Sequence, residues 1–438
     1  MSVYDNLALL REEILKCMKC GNCQAVCPIY KENRMEAAVA RGKVQLADAL
    51  LKGELVPNHR LAERFALCLT CKACVANCPC GVHIDTIILA ARAELVRQKG
   101  LPWVKNIIFQ GLKRPGVFDL GLRAGSLVQG LVMAAEKEGG LYHPRFPIGL
   151  DTRRVLPPLA RTQFRDQLPQ TNTVAEPRKK AVFFTGCMIN YVYTGIGRSV
   201  VNVLRANGVE VVIPREQHCC GIPVLTHGDV ATAKEMARSH VDAFSKLSFD
   251  ALVVACATCG CAWKDHYPAL LADDPAYSSR ARELAARSFD ISEFLVDHLD
   301  FIPPRGVVNA KVTYHDPCHL ARGQEIRRQP RQVLQSIPGI DLVEMTAPDR
   351  CCGGAGSFSI THVDISLQIG ERKVKDIAGT GANTVVTSCP ACRMQLEDSL
   401  HQKGMFDLEV VHTVQLLDMA YKSDIRGRKP EVRAQGAG

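Results

Sequence analysis

The sequence predicts a multi-domain protein in which an all-α segment is followed by two tandem α/β repeats, and three observations carry that prediction. A cysteine run, Cys17-x2-Cys20-x2-Cys23-x3-Cys27-Pro28, returns as Cys68-x2-Cys71-x2-Cys74-x3-Cys78-Pro79. From residue 181 onward, short β-branched runs alternate with helical stretches, the pattern of parallel strands joined by crossover helices. Within that region Cys187, the pair Cys219-Cys220, Cys256 and Cys259 recur as Cys318, Cys351-Cys352, Cys389 and Cys392, at offsets of 131 to 133 residues.

Residues 1–100 read as helices around two cysteine loops, with apolar periodicity from Leu7 to Leu15, Val44 to Leu51 and Ile84 to Val96 and no strand signal. Residues 101–179 read as a helical connector punctuated at Pro115, Gly139-Gly140, Pro147 and Pro157-Pro158. The first repeat, 180–305, has strand candidates at Ala181 to Thr185, Val209 to Ile213 and Ala251 to Ala255. The second, 306–424, has them at Val312 to His315, Leu342 to Met345 and Thr384 to Thr387. Residues 425–438 read as a flexible basic tail.

Composition narrows the function. A chain of 438 residues that is 47% hydrophobic has room for two or three ordinary cores. No apolar run reaches the 18 or so residues a bilayer needs, the Ser126 to Ala135 stretch being of core-helix length. The N-terminus shows no leader, so the expected location is cytoplasmic, compatible with peripheral attachment to the inner face of the membrane. Twenty cysteines in such a chain point to metal ligation rather than disulfides. The net charge of +9 is scattered, without a basic stripe or interleaved aromatics, which argues against nucleic acid.

The cysteine spacing then specifies chemistry. Three thiolates at steps of three wrap one corner of a cubane [4Fe-4S] cluster, while the fourth, set off by proline, reaches the other cluster, as in a two-cluster ferredoxin. Cys17, Cys20, Cys23 and Cys78 therefore form one cubane set, and Cys68, Cys71, Cys74 and Cys27 the other. Zinc needs only two CxxC pairs and leaves the third cysteine and the Cys-Pro unexplained. In the repeats each cysteine follows the carboxyl end of a predicted strand, where open parallel sheets place ligands. Five thiolates would converge there, with Gly221, Gly353, Gly354 and Gly356 allowing close backbone approach. A zinc site on four of the five stays open as an alternative; five exceed what one cubane needs and suggest a larger or open-faced cluster. His218, His315 and His319 flank these cysteines and are candidates to tune a cluster by hydrogen bonding or to relay protons, the alternative being that each bonds its own loop. Gly195-x-Gly197 lacks the third glycine of a dinucleotide fingerprint and reads as a helix-entry turn. With no flavin or nicotinamide fingerprint, no catalytic residue is assigned, and electrons have to come from a partner.

Across residues 10–420 the chain resembles the cysteine-rich (CCG) domain oxidoreductase family, which includes iron–sulfur subunits of glycolate and D-lactate dehydrogenases, the anaerobic glycerol-3-phosphate dehydrogenase C subunit and heterodisulfide reductase subunits. The carriers are both Cys-Pro loops, Arg41-Gly42-Lys43, Thr185-Gly186-Cys187, His315-Asp316-Pro317-Cys318-His319 and Arg350-Cys351-Cys352-Gly353-Gly354-Ala355-Gly356. The resemblance implies a noncubane [4Fe-4S] cluster on Cys187, Cys219, Cys220, Cys256 and Cys259, and another on Cys318, Cys351, Cys352, Cys389 and Cys392, giving one or two besides the cubanes. Cys80 and Cys261 fall outside the pattern as spare thiols. The function implied is that of the electron-transfer component of a glycolate or D-lactate dehydrogenase complex. It would take electrons from an FAD-containing partner and pass them to a quinone, cytochrome or other carrier, with no flavin of its own. Gly354 to Ser359 and Cys389 to Met394 resemble that branch most. The alternative is an enzyme like the D subunit of heterodisulfide reductase, which reduces a disulfide at its noncubane clusters; the completeness of both five-cysteine motifs favours it.

Overall fold

The structure, a computed structural model, describes residues 2–147 and 149–427. Among them no strand precedes Met133; the chain begins as short helices, including Arg11–Leu15, Asn22–Val26, Pro28–Asn33, Ala40–Leu51, His59–Ala66 and Ile84–Lys99. Local chemistry sets their ends. Proline has no N–H to continue the helix Asn22–Val26, but its fixed φ suits a first turn, so Pro28 opens the next helix and leaves Cys27 extended between the two. Asn58 caps His59–Ala66 by accepting the Leu61 N–H. Leu61 and Phe65 then pack with Val44, Ile87 and Ala91 into the core of this unit.

The connector departs from the helical expectation. Helices Trp103–Lys113 and Pro115–Val132 are followed by an antiparallel ribbon of β1 (Met133–Ala135) and β2 (Tyr142–Pro144). Gly139 and Gly140, both at positive φ, turn the chain back between them. Further on, β3 (Thr171–Asn172) joins the first repeat as an antiparallel edge strand, and Phe164 packs in that repeat's core. The first repeat thus recruits chain upstream of residue 180.

Both repeats form the same sheet. In the first, β4 (Lys179–Phe184), β5 (Val209–Val212), β6 (Ala251–Val254) and β7 (Ser288–Asp290) run parallel in the order β5-β4-β6-β7, with β3 outside β5. In the second, β8 (Ala310–His315), β9 (Ile340–Leu342), β10 (Thr384–Thr387) and β11 (Glu409–His412) take the order β9-β8-β10-β11, also parallel. The strand expected from Leu342 to Met345 begins two residues earlier, because the Pro338-Gly339 turn delivers the chain onto β8 at Ile340; only Val343 N–H, to Val312 O, extends the pairing. The strands β7 and β11 were not anticipated. Gly195 and Gly197 lie in the first turn of helix Thr194–Ala206, where the missing side chain of Gly197 makes room for the Phe164 ring. The final helix, Thr413–Gly427, continues through the first residues of the expected flexible tail; residues 428–438 lie outside the described residues.

The repeats are joined by polar contacts between their helices. Asp418 accepts from Ser199 Oγ at 2.7 Å and from Asn202, and Tyr193 donates to Glu397 at 2.5 Å. The N-terminal unit is tied to both repeats. Arg92 donates to the carbonyls of Phe65 and Cys68 and, at 2.6 Å, to that of Thr226. Arg322 reaches the Cys71 carbonyl at 2.9 Å, and Arg372 pairs with Glu32 at 2.8 Å.

Candidate metal centres

The two Cys-Pro loops form two separate cavities. Cys17, Cys20, Cys23 and Cys78 line one of about 350 Å³, together with Arg41 and Cys80. Cys27, Cys68, Cys71 and Cys74 line another of about 450 Å³, with Lys43, Lys72 and Asp85. In each, three cysteines come from one loop and the fourth from the other. The loops share a backbone device: Lys19 and Gly21 in the first, Thr70 and Lys72 in the second, all adopt positive φ and curl the chain around its cavity. Three of the four are not glycine, so roughly 1–2 kcal/mol of strain per residue is held in the loops.

Cations accompany both cavities. Arg41 donates to the Lys19 carbonyl at 3.1 Å at the outer cavity, while Lys43, on the same helix, is buried at the inner one with the Ala38 carbonyl as acceptor. Gly42 lets that helix approach, since a Cβ there would collide with the Glu36 carbonyl oxygen. Lys72 pairs with Asp85 at 3.4 Å. The fit to a thiolate-ligated, anionic group is chemical: four thiols, a buried ammonium and, among the described residues lining the inner cavity, no carboxylate other than the paired Asp85.

In each repeat the five cysteines converge at the carboxyl edge of the sheet in one contact pattern. The Cys187 thiol meets Cys219, Cys220 meets Cys219 and Cys259, and Cys259 meets Cys256. Likewise Cys318 meets Cys351, Cys352 meets Cys351 and Cys392, and Cys392 meets Cys389. Gly186 serves the first set, combining positive φ with a position where a Cβ would lie 2.9 Å from Cys259 Sγ. Neighbouring thiols pull Cys220 in the first set, and both Cys352 and Cys389 in the second, below an ordinary thiol. Hydrogen bonds from Cys219 and then Cys259 bring the Cys220 thiol down to about 5, and those from Cys351 and Cys392 hold Cys352 well below an ordinary thiol. Burial instead pushes Cys27 up to about 11. Pre-formed thiolates among buried sulfurs suit iron and zinc alike; the fifth sulfur is in excess for zinc.

The inner set and the two repeat sets are contiguous. Cys71 of the inner cavity meets Cys351, and Cys389 of the second repeat meets Cys256 of the first. Cys71 and Cys351 share a buried cluster with Ile29, Leu69, Phe358 and Ile369. Arg322, its side chain 6% exposed, stands between Cys71, Cys318 and Cys351 and pairs with Asp349 at 3.0 Å. Cys20 at the far end is exposed.

The flanking histidines differ from one another. His218 bonds the Cys219 carbonyl at 3.0 Å, and His319 links Thr258 Oγ1 and the Thr70 carbonyl, both at 3.3 Å, so it bridges the repeat and the N-terminal unit. His315 has no hydrogen-bond partner at either ring nitrogen among the described residues. Of the spare thiols, Cys261 donates to the His319 carbonyl, whereas Cys80 lines the outer cavity. Arg92, Arg322 and Lys72 were not singled out in the sequence; nothing in their local spacing marks them, because each acts across the fold.

Comparison with known proteins agrees with these divisions. A 4Fe-4S dicluster domain model matches residues 13–82, and a cysteine-rich domain model matches residues 181–263 and 312–397. The chain is 33% identical over 421 residues to the probable glycolate oxidase iron-sulfur subunit of Bacillus subtilis, covering 92% of this chain and 93% of that one. It is 30% identical to lactate utilization protein A of Exiguobacterium, over 55% of this chain and 97% of the relative. It is 28% identical to the D subunit of the dihydromethanophenazine:CoB–CoM heterodisulfide reductase of Methanosarcina barkeri, over 88% of this chain and 89% of that one.

Proposed function

The chain belongs to the family of iron–sulfur oxidoreductase subunits that join a 4Fe-4S dicluster domain to paired cysteine-rich domains, and on that premise we propose that it is the electron-transfer subunit of a 2-hydroxyacid dehydrogenase complex of glycolate or D-lactate type. The single observation that carries this reading is the run of touching cysteine sets from the inner cavity through both repeats, Cys71 meeting Cys351 and Cys389 meeting Cys256, with the outer set's Cys20 exposed. A chain built only to bind metal has no need for its sites to touch in sequence.

In this reading Cys17, Cys20, Cys23 and Cys78 hold one cubane, and Cys68, Cys71, Cys74 and Cys27 the other. Cys187, Cys219, Cys220, Cys256 and Cys259 hold one noncubane [4Fe-4S] cluster, and Cys318, Cys351, Cys352, Cys389 and Cys392 a second. Such clusters, when bound, take up and release single electrons, which is what a flavin that has accepted a hydride requires of its neighbour. The chain's own residues supply the setting. Lys43, Arg41 and Arg322 place positive charge beside anionic sites. Exposed Cys20, with exposed Leu15 and Met18 near it in sequence, opens the outer cavity to an FAD-containing partner. His218, bonded to its own loop, and His319, bonded to Thr258 and to the Thr70 carbonyl, keep the cysteines in place. The acceptor is a respiratory carrier such as a quinone or cytochrome, and the complex works at the cytoplasmic side of the membrane; among the described residues no helix is long and apolar enough to cross one.

The test is anaerobic affinity purification of the full chain from its native cell, with flavin quantified and dye reduction by glycolate and D-lactate measured. Co-purification of a flavoprotein with hydroxyacid-dependent activity is expected. Iron-loaded protein free of flavin that turns over a disulfide with a reduced dye would replace this reading with the heterodisulfide reductase one.

A further inference from the structure

We infer that His315 makes the two cysteine-rich sites unequal: it aims a ring nitrogen at the iron–sulfur group that Cys352 and Cys392 would hold, and the first site carries Phe184 in its place. The inference rests on the reading of these sites as cluster sites.

His315 ends β8 and is 1% exposed. Neither Nδ1 nor Nε2 has a hydrogen-bond partner among the described residues. A ring nitrogen of His315 and the sulfurs of Cys352 and Cys392 all lie within 4.8 Å of one another. A buried imidazole with both nitrogens unpaired costs a few kcal/mol, which packing alone does not return. That cost disappears if what the cysteines bind also pairs with the ring.

The first site shows what the position looks like without this role. In β8, His315 pairs in register with Thr387, two residues before Cys389, and stands three before Cys318. In β4, Phe184 pairs with Val254, two residues before Cys256, and stands three before Cys187. The two residues are therefore equivalent, and Phe184 has no nitrogen to offer. It packs edge-on against His240 and Trp263, with ring centroids at 5.1 and 5.5 Å. The imidazole beside it is committed elsewhere: His240 Nδ1 pairs with Tyr267 Oη at 2.8 Å, and its Nε2 accepts the His218 N–H at 3.2 Å.

A ring N–H donated to cluster sulfur withdraws electron density from the group and raises its reduction potential. The second site, which adjoins Cys71 of the inner cavity, is then the deeper electron trap of the two.

The experiment uses the full chain, purified anaerobically with 15N-labelled histidine and reduced, and reads nitrogen hyperfine coupling by pulsed electron paramagnetic resonance alongside a redox titration. Expected is weak histidine coupling on one of the two noncubane signals, of the size an N–H donated to sulfur gives, and a higher midpoint for that signal. His315→Phe should abolish the coupling and lower that midpoint while leaving the other in place, and Phe184→His should raise the first site's. The wild-type spectrum requires no variant to fold. Noncubane signals without histidine coupling, or unmoved by His315→Phe, overturn the role of His315 alone; iron absent from the ten repeat cysteines overturns the cluster reading beneath it.

Discussion

Lys43 is a primary ammonium buried beside four cysteines with a backbone carbonyl as its acceptor, and burial pulls its pKa down. An uncompensated buried cation is costly, so its placement makes sense against an anionic occupant of the inner cavity. Lys43→Met is expected to lower the reduction potential of the inner cubane and leave the outer one unchanged, as read by redox titration. Cys71 is a second test at this scale. It belongs to the inner set and touches Cys351, so Cys71→Ala should cost about a quarter of the chain's iron, one group of four, and abolish hydroxyacid-dependent reduction of the repeat sites while the outer cubane is still reduced. Reduction of the repeat sites at the wild-type rate would show that electrons do not pass this way. The eight cysteines of the two Cys-Pro loops were legible in the sequence because their spacing recurs, and they line two cavities, Cys17, Cys20, Cys23 and Cys78 one and Cys27, Cys68, Cys71 and Cys74 the other. The orphaned nitrogens of His315 and the burial of Lys43 were not, because both depend on what other segments bring to them.

Among the elements, helix Ile291–Glu293 shows a cap with a pH signature. Asp290 ends β7 and accepts the Ser292 N–H at 2.8 Å, while its own N–H donates to Glu293 Oε2 at 3.0 Å. Burial raises its carboxyl from 3.8 to about 7. A carboxyl whose folded pKa is raised stabilises the fold fully below its unfolded value and loses that contribution as pH rises through the folded value, so this position weakens the fold between about pH 4 and pH 7. Asp290→Asn keeps an acceptor for the cap, and should flatten the fall in thermal midpoint across that interval; an unchanged slope would show that Asp290 is not its source. The strands legible in the sequence were the β-branched runs at the centre of each sheet, β4, β5, β6, β8 and β10. Those overlooked, β3, β7 and β11, are two to four residues long and lie at sheet edges, where pairing from one neighbour rather than a strong run holds the strand. The ribbon in the connector was hidden for a similar reason: Gly139-Gly140 registered as punctuation, although paired glycines between short strands are also a hairpin turn.

For the molecule as a whole, the arrangement works only if the N-terminal unit stays docked on the repeats. Arg92 is the clearest tie, since one guanidinium satisfies carbonyls of the second cysteine loop and of the first repeat at once. Arg92→Ala leaves those acceptors unpaired and should destabilise the protein by about 2–4 kcal/mol, seen as a lower thermal midpoint and earlier bleaching of the cluster absorbance. Internal symmetry is the other property of the whole: the repeats share the order of their four parallel strands and their cysteine contacts, and the second carries His315 where the first carries Phe184. The central claim is that eighteen of the twenty cysteines serve four iron–sulfur sites, three of them in contact. Iron and acid-labile sulfide per chain, measured on anaerobically purified protein, test it most directly. About sixteen of each are predicted, four for each site; about eight of each, with zinc or free thiols accounting for the ten repeat cysteines, would contradict it.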